Sequence, residues 1–200
     1  SASRRCPIPS SATVPSIPLI ASSIMSKKLA EDLDGLVLDI KVGRGAFMKD
    51  LERARRLAEL MVATGAAHGT RVVAVLTNMD QPLGKAVGNA NEMVESLAVL
   101  EGGGPPDLVE VVYRLGEEML LLGGVAADRD EAGSRLRDAV ESGAALDKLV
   151  EVVEAQGGDT RPLRDPARFP AAENEESVVA PQDGYIVRAD ALDIGVGALR

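Results

Sequence analysis

Ser23 and Lys27 lie four residues apart in "LIASSIMSKK", a spacing that places both on one face of a helix. A hydroxyl and an ammonium side by side are two donors, able to hold a carbonyl or an imide edge. The same pair also fits a plain polar stripe on a solvated helix face. Just downstream, "GRGAFM" follows an apolar run; Gly43 and Gly45 let backbone approach a ligand, and Phe47 offers one of only two phenylalanine rings in the chain. That loop is equally readable as a tight turn with an aromatic plug, since Gly43-x-Gly45 lacks the longer glycine fingerprint of a phosphate loop. Asp39 and Lys41 alternate along the preceding run and point to one side of it; a salt bridge tying this strand to a helix is the simple expectation. His68 is the single histidine, so no multi-histidine metal site can form, and its place at a helix end suits a surface role. Cys6 has no partner for a disulfide and no histidine near it in sequence, and it fits a reducing compartment, hence a cytoplasmic protein.

The elements that must position these residues follow from pattern and breakers. Ser16 can cap a helix with Pro18 in its first turn, running to Ala30 or Glu31. Leu36 to Val42, between Gly35 and Gly43, is almost wholly apolar and reads as a strand buried on both faces, hence part of a parallel sheet. Leu51, Ala54, Leu57, Leu60 and Met61 have helical spacing, with Gly65 near the helix end, and "RVVAVLT" is a second strand. Strand, helix, strand is a βαβ unit. Further helices are expected over residues 90–100, 107–122, 129–141 and 146–156, separated by "GGGPPD" and Gly157-Gly158. "RPLRDPARFPAAENE" reads as irregular, "SVVAPQDGYIVRAD" as two strands joined at Asp183-Gly184, and residues from Ala191 as the start of a helix. The fold class is α/β: part of a mixed, largely parallel sheet flanked by helices, with a piece of a small helical domain at the N-terminus. Residues 1–33 are assigned to the end of that helical domain, 34–175 to the α/β domain, and 176–200 to the start of a strand-rich C-terminal part.

Composition narrows the functions. A net charge of −9 argues against nucleic acid as a partner, because phosphate binding draws on clustered Lys and Arg. No apolar run reaches membrane-span length. The apolar fraction of 46% permits a core, but with aromatics at 2% it must be built from aliphatic side chains. The acidic stretches Glu92–Glu101 and Asp128–Glu141 are the wet faces of helices. The proline-rich "SASRRCPIPSSATVPSIP" and the abrupt "ADALDIGVGALR" read as the edges of a fragment.

In open α/β sheets ligands sit beyond the carboxyl ends of the strands, where "GRGAFM" and "NMDQPLGKAVGN" both lie. Five motifs in order, "SATVPSIPLIASSIMSKKLAEDLDGLVLDIKVGRGAFM", "TNMDQPLGKAVGNANEMVESL", "GPPDLVEVVYRLGEEML", "EAQGGD" and "APQDGYI", resemble the central segment of the thymidine and pyrimidine-nucleoside phosphorylases. "ASSIMSKK" and "NMDQPLG" are closer to the broad-specificity bacterial pyrimidine enzymes. The resemblance implies reversible phosphorolysis of a pyrimidine nucleoside, thymidine or uridine, to free base and pentose 1-phosphate, by a homodimer whose subunits have a small helical and a larger α/β domain. It implies that Ser23 and Lys27 hydrogen-bond the base, that Phe47 lines the base pocket, and that Leu83 and Ala86, through main-chain carbonyls, and Glu95 hold a monovalent cation, usually potassium. It implies phosphate as co-substrate and no organic cofactor.

The departures from the family are as definite. Its members are roughly twice as long, and their glycine-rich phosphate-binding segment has no counterpart here, so no phosphate-binding residue is assigned. Ile8 stands where a base-binding arginine is expected, with Arg4 and Arg5 out of register, and Pro15 replaces an acidic or amide residue. The chain is therefore expected to be inactive alone. A phosphoribosyltransferase such as the anthranilate enzyme shares the two-domain layout, though "PLIASSIMSKK" and "NMDQPLG" weigh against it. A non-catalytic scaffold derived from a phosphorylase would turn the lost arginine and phosphate segment into real features.

Overall fold

The computed structural model describes residues 16–198; Arg4, Arg5, Cys6, Ile8 and Pro15, discussed above, lie outside the described residues. Helix α1 (Ile17–Leu29) opens after Ser16, whose carbonyl accepts the Ile20 N–H at 3.0 Å. The expected side-chain cap is not made, and Pro18 in the first turn sets the helix start instead. Strand β1 (Gly35–Val42) pairs in parallel with β2 (Arg71–Asn78) in unbroken register from Gly35 opposite Arg71 to Val42 opposite Asn78. Between them runs α2 (Leu51–His68), capped by the Asp50 carboxylate on the Arg53 N–H at 2.8 Å.

The helix extends past Gly65 and ends at Gly69, which has the positive φ of 89° that glycine reaches without strain. Gly65 has a packing role. A Cβ there would lie 2.1 Å from Val72 Cγ2, so its hydrogen lets α2 lie close against β2. His68 is exposed in the last turn, as expected.

One core holds this unit together. Ala21 and Met25 of α1, Leu36, Leu38 and Ile40 of β1, and Ala54, Leu57, Ala58 and Met61 of α2 form a single buried cluster with Met48. Alternate residues of β1 therefore face α1 and α2. The other face is half-buried at Val37 and open at Asp39, so β1 is not buried on both faces as expected. Helix α4 packs closely at the start of β1, where Gly35 meets Leu122, and faces the end of β2 across a hollow.

After β2 come α3 (Asn89–Leu100), α4 (Pro106–Leu122), α5 (Arg129–Glu141) and α6 (Ala144–Ala155), close to the expected positions. Leu97, Leu146 and Leu163 make a second, smaller core. "RPLRDPARF" is more ordered than expected: α7 (Arg161–Arg164) is a single turn, followed by a 3-10 turn at Pro166–Arg168. The hairpin expected at Asp183-Gly184 is absent. Val178, Val179, Tyr185, Ile186 and Val187 are all at least 80% exposed, and two short strands without a sheet to join are not stable by themselves. The described chain ends in α8 (Ala191–Ala198). The architecture is mixed α/β around a two-stranded parallel sheet.

Candidate functional site

Both strands run the same way, so the loops that leave them emerge at one edge. The Met79 N–H donates to the Val42 carbonyl at 2.6 Å and the Gly45 N–H to the Met79 carbonyl at 2.9 Å, which lashes the first loop to the second. The first loop closes on itself, Gly43 N–H to the Met48 carbonyl at 2.9 Å. Gly43 has φ of 131°, and a Cβ there would sit 2.7 Å from the Asp80 backbone nitrogen and from its Oδ1. Only glycine suits that position.

This frame and α1 enclose a cavity of about 380 Å3, lined by Ile20 and Ile24 of α1, Leu57 and Met61 of α2, the end of β1, and Gly45 to Met48. Ile20 and Ile24 are four residues apart, as are Ser23 and Lys27, so the two pairs lie on adjoining stripes of α1. The two isoleucines line the cavity, while Ser23 and Lys27 are exposed beside them. Phe47 lines the same cavity and is 80% exposed, so its ring is a wall of the mouth and not a plug in a core. Of the three residues singled out for the base, Phe47 alone lines this mostly apolar hollow; Ser23 and Lys27 lie exposed on α1, outside its lining.

Asp39 and Lys41 form an ion pair at 2.7 Å within β1, and the Thr77 hydroxyl of β2 donates to the Asp39 carboxylate. The pair ties strand to strand, not strand to helix. The reason is geometric: side chains two apart stand on the same face of a strand, so Asp39 and Lys41 meet each other, and Thr77 of the paired strand reaches the same carboxylate.

The second loop is held by carboxylates from later helices. Glu95 of α3 accepts the Lys85 and Ala86 N–H groups on Oε1, at 2.9 and 3.1 Å. Asp107 of α4 accepts the Gly84 N–H at 3.0 Å, and Glu92 the Gly88 N–H at 2.9 Å. Ala86 and Glu95 are thereby brought together. Leu83, one residue before Gly84, faces a separate hollow with Pro82, Asp107 and Arg114. Glu95 Oε2 faces Gly84, where a Cβ would come within 2.2 Å of it. In this arrangement Glu95 Oε1 is occupied by main-chain N–H groups, and Leu83 is not gathered with Ala86 and Glu95. Among the described residues no group of three or more His, Cys, Asp and Glu side chains is placed to hold a metal.

Sequence reasoning missed a charged junction beside this site. The Arg44 N–H donates to Asp80 Oδ1 at 2.9 Å, its carbonyl accepts Lys49 Nζ at 2.7 Å, and its guanidinium is paired with Asp190. Asp190 Oδ1 caps α8, accepting the Leu192 and Asp193 N–H groups at 3.0 and 3.2 Å. The hydrogen bond and charge of Arg44, with the α8 N–H groups, lower the Asp190 carboxyl below the usual range. Asp190 reciprocally raises Arg44. The sequence carried one faint sign, an aspartate directly before the helix beginning at Ala191.

A parallel sheet whose strand-exit loop, with α1 and α2, borders a small apolar cavity defines an α/β protein with a hollow at the carboxyl edge of its sheet, where open α/β sheets commonly take ligands. Residues 10–146 match the glycosyl transferase family, a/b domain, and the chain belongs to that family. It is 46% identical over 187 residues to pyrimidine-nucleoside phosphorylases of Staphylococcus epidermidis and Staphylococcus aureus. The aligned stretch is 94% of this chain and 43% of each relative, so the chain spans less than half the length of those proteins.

Proposed function

We propose that this chain belongs to a pyrimidine-nucleoside phosphorylase, a pentosyltransferase that cleaves thymidine or uridine with phosphate. The observation that carries the reading is the identity of 46% across nearly the whole chain to relatives of that name. Phe47 at the mouth of an apolar cavity, with Ile20 and Ile24 of the helix that carries Ser23 and Lys27 in its wall, is consistent with it. The resemblance supports assigning residues 34–175 to the α/β domain, 1–33 to the end of a helical domain and 176–200 to a C-terminal part. It also supports a homodimer, and the single cysteine fits the cytoplasm. No described helix is long and apolar enough to cross a membrane.

In phosphorolysis a phosphate oxygen forms a bond to C1′ of the pentose while the glycosidic C–N bond breaks. The bonding pair leaves with the base, which ends as the neutral free base once it takes a proton. Negative charge develops over the base's carbonyl and imide edge. The Lys27 ammonium and the Ser23 hydroxyl are the donors assigned to meet that charge, an electrostatic contribution confined to the transition state. Phe47 and the two isoleucines would hold the ring by apolar contact and keep water from the reacting centre. The Leu83 and Ala86 carbonyls and the Glu95 carboxylate would hold a potassium ion, whose charge would stiffen the second loop. No side chain of this chain is assigned to phosphate.

The test is phosphate-dependent release of thymine and uracil by the protein as its gene encodes it, alongside the 200-residue chain. The encoded protein is expected to turn over both nucleosides and the isolated chain neither, since reactant positioning needs both surfaces. Lys27→Ala should lower kcat/KM by about 100-fold or more, the size of one lost charge-stabilising donor. A well-folded encoded protein that releases no base would overturn the reading.

A further inference from the structure

We propose that Arg44 is a positioning residue, which through Asp190 fixes the loop carrying Phe47 at the mouth of the base cavity. The proposal rests on the phosphorylase reading for what Phe47 contacts, and on geometry for the rest. Phe47 itself is held by little: its ring is 80% exposed, so its place depends on the backbone that carries it. That backbone is pinned at Gly43 and Gly45 by neighbouring strand-end groups. Between those two residues every polar group of Arg44 is engaged, the N–H by Asp80, the carbonyl by Lys49 and the guanidinium by Asp190.

Asp190 is suited to anchor it. Its side chain is only 6% exposed, and a carboxylate so enclosed demands a cation and donors. Its two oxygens divide the work, Oδ1 capping α8 and Oδ2 holding Arg44. Arg188 stands farther off, at 3.7 Å, and is shared with Asp193. Asp80 completes the junction, since its carbonyl accepts the Ala191 N–H at 3.1 Å while its carboxylate takes the Arg44 N–H. Gly45 packs where a Cβ would be 3.0 Å from Ala191 Cβ, leaving no slack between loop and helix. The start of α8 is thus fastened to the loop by two routes, one through the Arg44 and Asp190 side chains and one through Asp80.

The experiment compares Arg44→Ala, Arg44→Lys and Asp190→Asn in the protein as its gene encodes it, with Arg56→Ala in an exposed pair of α2 as control. Amide hydrogen exchange is read over residues 43–48, and KM is measured separately for uridine and for phosphate. Arg44→Ala and Asp190→Asn should each speed exchange at 43–48 about tenfold, without change across α2. The double variant should do no more than either, because both cut one link. The uridine KM should rise about fivefold with the phosphate KM unmoved, and Arg44→Lys should restore part of the loss. Unchanged exchange in both single variants overturns the proposal. Faster exchange with an unmoved uridine KM also overturns it, because the junction would then be structural only. Should Arg44→Ala loosen α2 as well, Arg44→Lys and Asp190→Asn decide by the same criteria. If the unmodified protein turns over no nucleoside, the phosphorylase reading falls, and exchange alone still decides whether Arg44 fixes the loop.

Discussion

The two loops at the carboxyl edge of the sheet do the same topological job and are held in different ways. The loop after β1 is short; its glycines are fixed by main-chain groups, with a close approach of Gly43 to Asp80, and Arg44 between them by the side chains of Asp80, Lys49 and Asp190. The loop after β2 is longer, and its N–H groups are taken by the side chains of Glu92, Glu95 and Asp107, which arrive from α3 and α4. At Gly43 the first loop depends on a backbone geometry that tolerates no Cβ. The second, fixed by carboxylates, depends on acceptors supplied from elsewhere.

The contrast can be broken by substitution, and the largest effect is expected in the first loop. Gly43→Ala must accommodate a Cβ 2.7 Å from backbone nitrogen at a positive φ. It should lower stability by about 3 kcal/mol in denaturant unfolding. A loss below about 1 kcal/mol would show that the loop can shift. Next comes Glu95→Ala, which strips the acceptor from two N–H groups and should lower stability by about 2 kcal/mol, with Glu95→Gln restoring about half. Equal losses in the two variants would mean that charge, and not the acceptor, is what the loop needs. Gly84→Ala adds a side chain at φ of 71° against the end of the flexible Glu95 side chain. About 1–2 kcal/mol is expected, less than at Gly43, because a carboxylate can turn aside where backbone cannot.

The smallest expected effect lies away from both loops and shows what a wholly local pair does. Asp159 is held down to about 2 by the Arg161 side chain and N–H. A folded-state value below the unfolded one contributes stability at neutral pH that is lost only as pH falls through the folded value, here from about 4 towards 2. In an NMR titration Arg161→Ala should move Asp159 up towards the ordinary carboxylate range, with little change in unfolding at pH 7.

Much of this could be read beforehand. The helix over 51–68 announced itself by apolar spacing, and α3 to α6 by breakers on either side, because local pattern and local turn chemistry decide where such elements start and stop. Ser23 and Lys27 could be picked out by their four-residue spacing, and Glu95 only by resemblance. What misled were features with two local meanings. Gly65 looked like a helix stop and is a packing contact; "PQDG" looked like a hairpin turn and is a bend with no paired strands on either side. Asp39 and Lys41 were seen as a pair, but their partner across the sheet, Thr77, was not.

Sequence by itself determined the order and type of the main elements, the strand–helix–strand unit and the donor stripe on α1, since each depends on residues a few positions apart. Tertiary structure alone decided that Asp107 would hold Gly84, that Asp80 would bridge Arg44 and Ala191, and that Asp190 would reach back across the chain to Arg44. Those carboxylates have many N–H groups and cations within reach in an unfolded chain. Only the parallel pairing of β1 with β2, and the docking of α3, α4 and α8 beyond their ends, selects among them.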